Sequence, residues 1–137
     1  MGALEDFIRQ NRITEVECLV PDMSGIARGK IVPAEKLLRI LRDRGLRLPE
    51  SIFVQTVTGE YPDDEDVTSD ENSDVYILPD ESTVRFVPWY AEPTAQVLTD
   101  CVYRDGSPVD FSPRHVLRRV LKLYEDQIGR ASCRERV

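Results

Sequence analysis

Between Glu60 and Glu81 the chain carries ten acidic residues and no lysine or arginine, most densely at Pro62-Asp63-Asp64-Glu65-Asp66. Carboxylates this close cannot be packed away, because desolvating several like charges without partners costs several kcal/mol each. The segment is expected to be a solvated loop, and three uses of it are open. Asp63, Asp64, Asp66 and Asp70 are hard oxygen ligands of the kind calcium and magnesium accept. Their spacing lacks the Asp-x-Asp-x-Asp-Gly run and closing bidentate Glu of an EF-hand, so no metal site is assigned. The loop could be a solvated connection and no more. It could also present negative charge to a cationic substrate or to a neighbouring subunit.

Other chemistry is sparse. His115, the only histidine, lies beside Arg114 with no serine or cysteine nucleophile placed near it by a motif, so a hydrolase triad is set aside. No G-x-x-x-x-G-K-[ST] loop and no G-x-G-x-x-G is present, so phosphate cradles of those types are excluded. Cys18, Cys101 and Cys133 are odd in number and far apart, which indicates neither a disulfide framework nor a zinc site. Cys18 and Cys101 read as ordinary buried strand residues. Phe86, Trp89 and Tyr90 form the one aromatic cluster, either packed at a domain edge or, for Trp89 and Tyr90, marking an interface.

The elements that position these residues can be read from periodicity. Leu4, Phe7 and Ile8 share a helical face. Val16, Cys18 and Val20 alternate with Glu15 and Glu17, then Pro21-Asp22-Met23-Ser24-Gly25 supplies a turn, so a hairpin is expected with a returning strand Ile26–Val32. If Ala27 and Ile31 join Val16 and Cys18 on the core face, Arg28 and Lys30 fall with Glu15 and Glu17 on the other. Pro33 at a first helical position, Leu37, Leu38 and Leu41 on one stripe, and Gly45 past the end predict a second helix. The β-branched run Ile52–Val57 predicts a third strand. Further strands are expected at Val75–Leu78, Thr83–Val87 and Thr94–Tyr103. A last helix follows, capped by Ser112 with Pro113 at its first position, and Val116, Leu117, Val120, Leu121 and Tyr124 form its apolar stripe.

At 137 residues the chain fits one domain. The expected class is α+β: a β-grasp-like mixed sheet wrapped around the Pro33–Arg44 helix, with flanking amino- and carboxy-terminal helices. A net charge of −7 argues against non-specific binding to nucleic acid or an anionic membrane, both of which need a basic face. With no apolar run near membrane length and no signal-like start, a cytoplasmic protein is expected. After Gln127 the pattern stops, and residues 128–137, with three Arg against one Glu, are expected to be a vector-derived tail.

Ile13-Thr14-Glu15-Val16-Glu17, the run from Asp22-Met23-Ser24-Gly25 through Arg28-Gly29-Lys30, Tyr76-Ile77-Leu78-Pro79-Asp80, Pro88-Trp89, and Asp105-Gly106 before Pro108 occur in an order that resembles the amino-terminal β-grasp domain of the glutamine synthetase family. The resemblance covers residues 3 to 127, so residues 1–127 are taken as that domain and the catalytic domain as absent. Pro49-Glu50-Ser51-Ile52-Phe53 and the stretch Val87 to Val97 look most like the glutamate–polyamine ligase branch, typified by gamma-glutamylputrescine synthetase.

The resemblance implies a parent enzyme that uses ATP and Mg2+ to phosphorylate glutamate's side-chain carboxylate, which an amine then attacks. It implies that the ligands for metal, nucleotide and glutamate lie on the missing catalytic domain, leaving this domain inactive alone and without catalytic residues. Its partners would be that catalytic domain and neighbouring subunits of a ring-shaped oligomer, where its loop helps to form the amine pocket. Ammonia-using members resemble Asp-Gly-Ser-Ser after the third strand, whereas Gln55-Thr56-Val57-Thr58-Gly59 stands here, which puts ammonia specificity in doubt. Glu60, Asp63, Asp64 and Asp66 are then expected to attract a polyamine. The alternatives are a free-standing β-grasp interaction module using Trp89 and the acidic loop, and an ammonia-using or catalytically inactive family member.

Overall fold

The structure is a computed structural model that describes residues 2–42, 45–61 and 74–128. Helix α1 (Ala3–Gln10) leads into the hairpin β1 (Glu15–Pro21) and β2 (Ala27–Pro33), followed by α2 (Ala34–Arg42) and the short β3 (Arg47–Pro49). Strands β4 (Asp74–Pro79), β5 (Arg85–Val87) and β6 (Thr94–Val102) complete the sheet before α3 (Pro113–Ile128). The sheet runs β2-β1-β6-β4-β3, with β5 also on β6. Pairing of β1 with β6 is parallel, and every other pairing is antiparallel. Residues Thr94–Gln96 of β6 pair with both β1 and β5, so this strand is the interior spine of a curved, mixed sheet of the β-grasp kind.

The core lies between this sheet and the first two helices. Leu4 and Ile8 from α1, Leu37 from α2, Val16, Cys18 and Val20 from β1, Val75 and Ile77 from β4, and Ala95, Val97 and Cys101 from β6 are all buried. Burial pushes the thiols of Cys18 and Cys101 up to about 12, so both behave as small apolar side chains. Helix α2 begins at Ala34, and Pro33 closes β2 rather than opening the helix. Gly45 donates its N–H to the Ile40 carbonyl (3.1 Å), a bond that satisfies an acceptor at the helix end.

Two expectations are corrected. The run Ile52–Val57 is not a strand: β3 takes the edge of β4 through Arg47–Pro49, and Glu50–Val54 coil into a 3-10 turn. Glu50, Ser51, Ile52 and Phe53 are buried in succession, a pattern that a half-buried strand cannot produce because its side chains alternate. Residue type favoured extension, but packing around Phe53 decided the conformation. The second correction concerns the faces of β2. Register pairs Val16 with Val32, Cys18 with Lys30 and Val20 with Arg28, while Glu17 faces Ile31. Arg28 and Lys30 therefore share the face of Val16 and Cys18, and Ile31 is half exposed on the other. Val32 is the β2 residue that reaches the core, and Gly29 is forced, since a Cβ there would lie 1.8 Å from the Cys18 carbonyl oxygen.

Candidate functional site

Turning Arg28 and Lys30 to the inner face builds a clamp at the turn end of the hairpin. Asp22, its side chain fully buried, accepts the Ile26 N–H (2.8 Å) on one carboxylate oxygen and Arg28 Nε (2.6 Å) on the other. The same guanidinium reaches on to the Thr56 carbonyl (2.8 Å), and Lys30 Nζ donates to the Arg47 carbonyl (2.7 Å). Met23 N–H donates to the Phe53 carbonyl (3.1 Å) and Ser24 Oγ to the Gln55 carbonyl (3.4 Å). Hairpin tip and the segment Phe53–Thr56 are thus one unit.

That unit holds the start of the acidic segment. Thr56 Oγ1 accepts the Glu60 N–H (3.1 Å), Thr56 N–H donates to the Glu60 carbonyl (2.9 Å), and Gly59 takes a positive φ of 87° to close the turn. Glu60 is exposed, its carboxylate accepting from Thr58 Oγ1 (3.2 Å). Asp63, Asp64 and Asp66 lie outside the described residues, so the clamp is joined here to Glu60 alone. Arg28, Asp22 and Thr56, which fix this turn, were not singled out by sequence reasoning. Their signal was the Asp22-to-Arg28 spacing across a Ser-Gly turn, which a register error hid.

Trp89 and Tyr90 sit in the turn between β5 and β6, 70% and 40% exposed. Tyr90 Oη donates to Glu17 (3.3 Å), which also accepts Gln96 Nε2 (2.7 Å), and Arg85 Nε donates to the Gln96 side-chain oxygen Oε1 (2.9 Å). Register puts Ile31, Glu17, Gln96 and Arg85 in one row across the outer face of the sheet, with the two aromatic residues at its margin. These aromatics and Glu60 are separate features, at the β5–β6 turn and beyond the clamp.

At the far end of the sheet, α3 is fastened by charge. Arg114 bonds Asp80 (2.6 Å) and Asp100 (3.0 Å), and Arg118 bonds Asp100 (2.6 Å) and Asp80 (3.4 Å). The Ser82 hydroxyl, and then Arg114, hold the Asp80 carboxyl below its usual range. A carboxylate whose folded-state pKa lies below its unfolded value near 3.9 contributes stability above that value and loses it as pH falls through the folded one. Protection of the second-turn amides of α3, Arg118 to Leu121, against hydrogen exchange should therefore drop below about pH 4. Asp80→Asn should flatten this dependence, and unchanged wild-type protection from pH 7 to pH 3 would rule the latch out.

Among the described residues no three His, Cys, Asp or Glu side chains gather where they could hold a metal ion. The described residues therefore offer no ligand set for a magnesium–nucleotide complex. Among the described residues no helix is long and apolar enough to cross a membrane.

A curved, mixed sheet packed on two helices, with a clamped turn at its hairpin tip, defines an α+β domain of the β-grasp kind. The chain is 33% identical over 128 residues to a glutamate–isopropylamine ligase of a Pseudomonas species, covering 92% of this chain and 28% of that ligase. Against gamma-glutamylputrescine synthetase of Escherichia coli it is 29% identical over 111 residues, 77% of this chain and 22% of that enzyme. A crystal structure described as a novel glutamine synthase homolog superposes with a TM-score of 0.70 at 26% identity, covering 83% of this chain and 27% of that one. No family model matches the chain. The chain belongs to the glutamine synthetase family, with the fold of its amino-terminal β-grasp domain. It spans little more than a quarter of the length of its ligase relative.

Proposed function

We propose that this chain is the amino-terminal part of an ATP-dependent glutamate–amine ligase, that it helps to form the amine pocket and the subunit contacts, and that it is inactive alone. The observation that carries this reading is its 33% identity, across 92% of its length, to a ligase whose name joins glutamate to isopropylamine. In this reading residues 1–127 are the domain, residues 128–137 are a foreign tail, and magnesium and ATP bind elsewhere in the parent. Glutamate and a polyamine are its substrates, and Trp89 and Tyr90 meet a neighbouring subunit.

The clamp around Arg28 supports the amine assignment physically. It fixes the base of an acidic segment while leaving Glu60 in solvent, the arrangement needed for carboxylates that attract a cation rather than build a core. A diamine is doubly charged at neutral pH, so it should feel such a field more strongly than a monoamine. In the family-length enzyme, the combined change Glu60→Gln, Asp63→Asn, Asp64→Asn and Asp66→Asn should raise the KM for putrescine about tenfold at low salt. The KM for isopropylamine should hardly move and kcat should be kept. Equal KM values for putrescine in both enzymes, with the same salt dependence, would remove the polyamine assignment. The rival reading, a free-standing interaction module, is favoured only by the exposure of Trp89.

A further inference from the structure

Glu50 carries a carboxylate that the Arg28 clamp does not use, and the residue is only 2% exposed. Tyr103, the residue that follows β6, donates its Oη to that carboxylate at 2.5 Å. Burial, and then the bond to Glu50, push the Tyr103 phenol up to about 12, so the donor stays protonated at neutral pH. Buried polar pairs are weak evidence for stability, because apolar residues of similar volume often serve as well; their better-attested use is to fix one conformation. What is fixed here follows from where the two residues stand. Glu50 opens the 3-10 turn Glu50–Val54, and two residues beyond that turn Arg28 holds the Thr56 carbonyl (2.8 Å). The segment is pinned at both ends, with Phe53 buried between them against Phe111. Tyr103 and Phe111 both belong to the connection between β6 and α3, which is itself closed. Tyr103 N–H donates to the Ser107 carbonyl (2.8 Å), Gly106 N–H returns to the Tyr103 carbonyl (3.0 Å), and Val109 N–H reaches the Cys101 carbonyl (3.3 Å). A donor carried on a closed turn holds its acceptor in one place.

We propose that Glu50 and Tyr103 are positioning residues: they set where the turn Thr56–Glu60 stands, and through it the affinity for the amine. The amine half rests on the ligase reading above, whereas the placing of the turn concerns this chain alone. Arg28 fixes one end of the segment and the Tyr103 hydrogen bond the other, so loss of the second anchor lets the turn drift about the first. Displacements of about 1 Å at a binding group are enough to cost much of its effect.

Tyr103→Phe removes the donor and keeps the ring. In the 137-residue chain it should speed hydrogen exchange of the Thr56, Gly59 and Glu60 amides at least about tenfold, while amides in the middle of β1 and β6 keep their protection. Glu50→Gln keeps an oxygen that can accept from Tyr103 and should lie closer to wild type than Glu50→Ala. In the family-length enzyme from the source gene, Tyr103→Phe should raise the KM for isopropylamine or putrescine, whichever is ligated, about fivefold. The KM values for glutamate and ATP should stay within about twofold. Unaltered exchange at residues 56–60 in both Tyr103→Phe and Glu50→Ala would overturn the positioning role and leave the ligase reading intact. Faster exchange with an unaltered amine KM would overturn the link to the amine, together with the assignment of this turn to the amine pocket. Equal rises in all three KM values, or faster exchange throughout the sheet, would make the pair a general support of the fold and refute the proposal. A family-length protein that ligates neither amine would strike the ligase reading, and the amine half of this inference with it.

Discussion

Phe53→Ala should lower the unfolding free energy of the chain by about 3–5 kcal/mol, the range for deleting a large aromatic side chain from a core. Phe53 is fully buried and its ring meets Phe111 edge to face, with centroids 5.6 Å apart. Its backbone carbonyl also accepts from Met23, so the residue joins the 3-10 turn to the hairpin tip. A cavity left there cannot close easily, because the turn is held from both sides and Phe111 precedes the pinned start of α3. Denaturant unfolding followed by fluorescence and circular dichroism would measure the loss. A change below about 1 kcal/mol would show that Phe53 is not part of the cooperative core.

Asp22→Ala should cost about 2–3 kcal/mol, somewhat below the 3–5 kcal/mol for a fully buried ion pair because Arg28 keeps partial solvent contact. Two bonds disappear together, the cap on the Ile26 N–H and the anchor of Arg28 Nε. Without the anchor, Arg28 loses the orientation that lets its other nitrogen hold the Thr56 carbonyl. The effect should therefore spread from the hairpin tip to the turn at residues 56–60, visible as faster exchange of the Gly59 and Glu60 amides. Asp22→Asn keeps an acceptor for Ile26 and should fall between the two. If Asp22→Ala unfolds like wild type and the exchange at Gly59 is unaltered, the clamp has no structural role.

The Asp22–Arg28 clamp is hidden in the sequence for a physical reason. Alternation in Ile26–Val32 shows that Arg28 and Lys30 share a face, but alternation alone does not say which face. The choice of Ala27 and Ile31 for the core followed apolar character. Pairing decided otherwise, because β1 and β2 align Cys18 with Lys30, and Arg28 then finds a buried carboxylate at Asp22. A one-residue difference in facing moved the basic pair from solvent to the clamp. The Ile52–Val57 expectation failed in the same way, since propensity carries little weight against a packing site for one phenylalanine.

What the sequence determined by itself is the local grammar. The opening helix follows from Leu4, Phe7 and Ile8, the last helix from Ser112 and Pro113, the hairpin from the Pro-Asp-Met-Ser-Gly turn, and the β-grasp class from the order of elements. The helices and the hairpin are set by contacts within a few residues, so their signals survive in the linear chain. Only the tertiary structure decided how Arg28, Asp22 and Thr56 meet, that Ile31 faces out and Val32 in, and that the α3 stripe turns away from the body. Each of these depends on partners distant in sequence: β1 against β6, the hairpin against residues 53–56, and Arg114 and Arg118 against Asp80 and Asp100. An apolar stripe in the sequence announces a helix that will be buried against something. Where the charges are fastened determines which side turns away from the sheet.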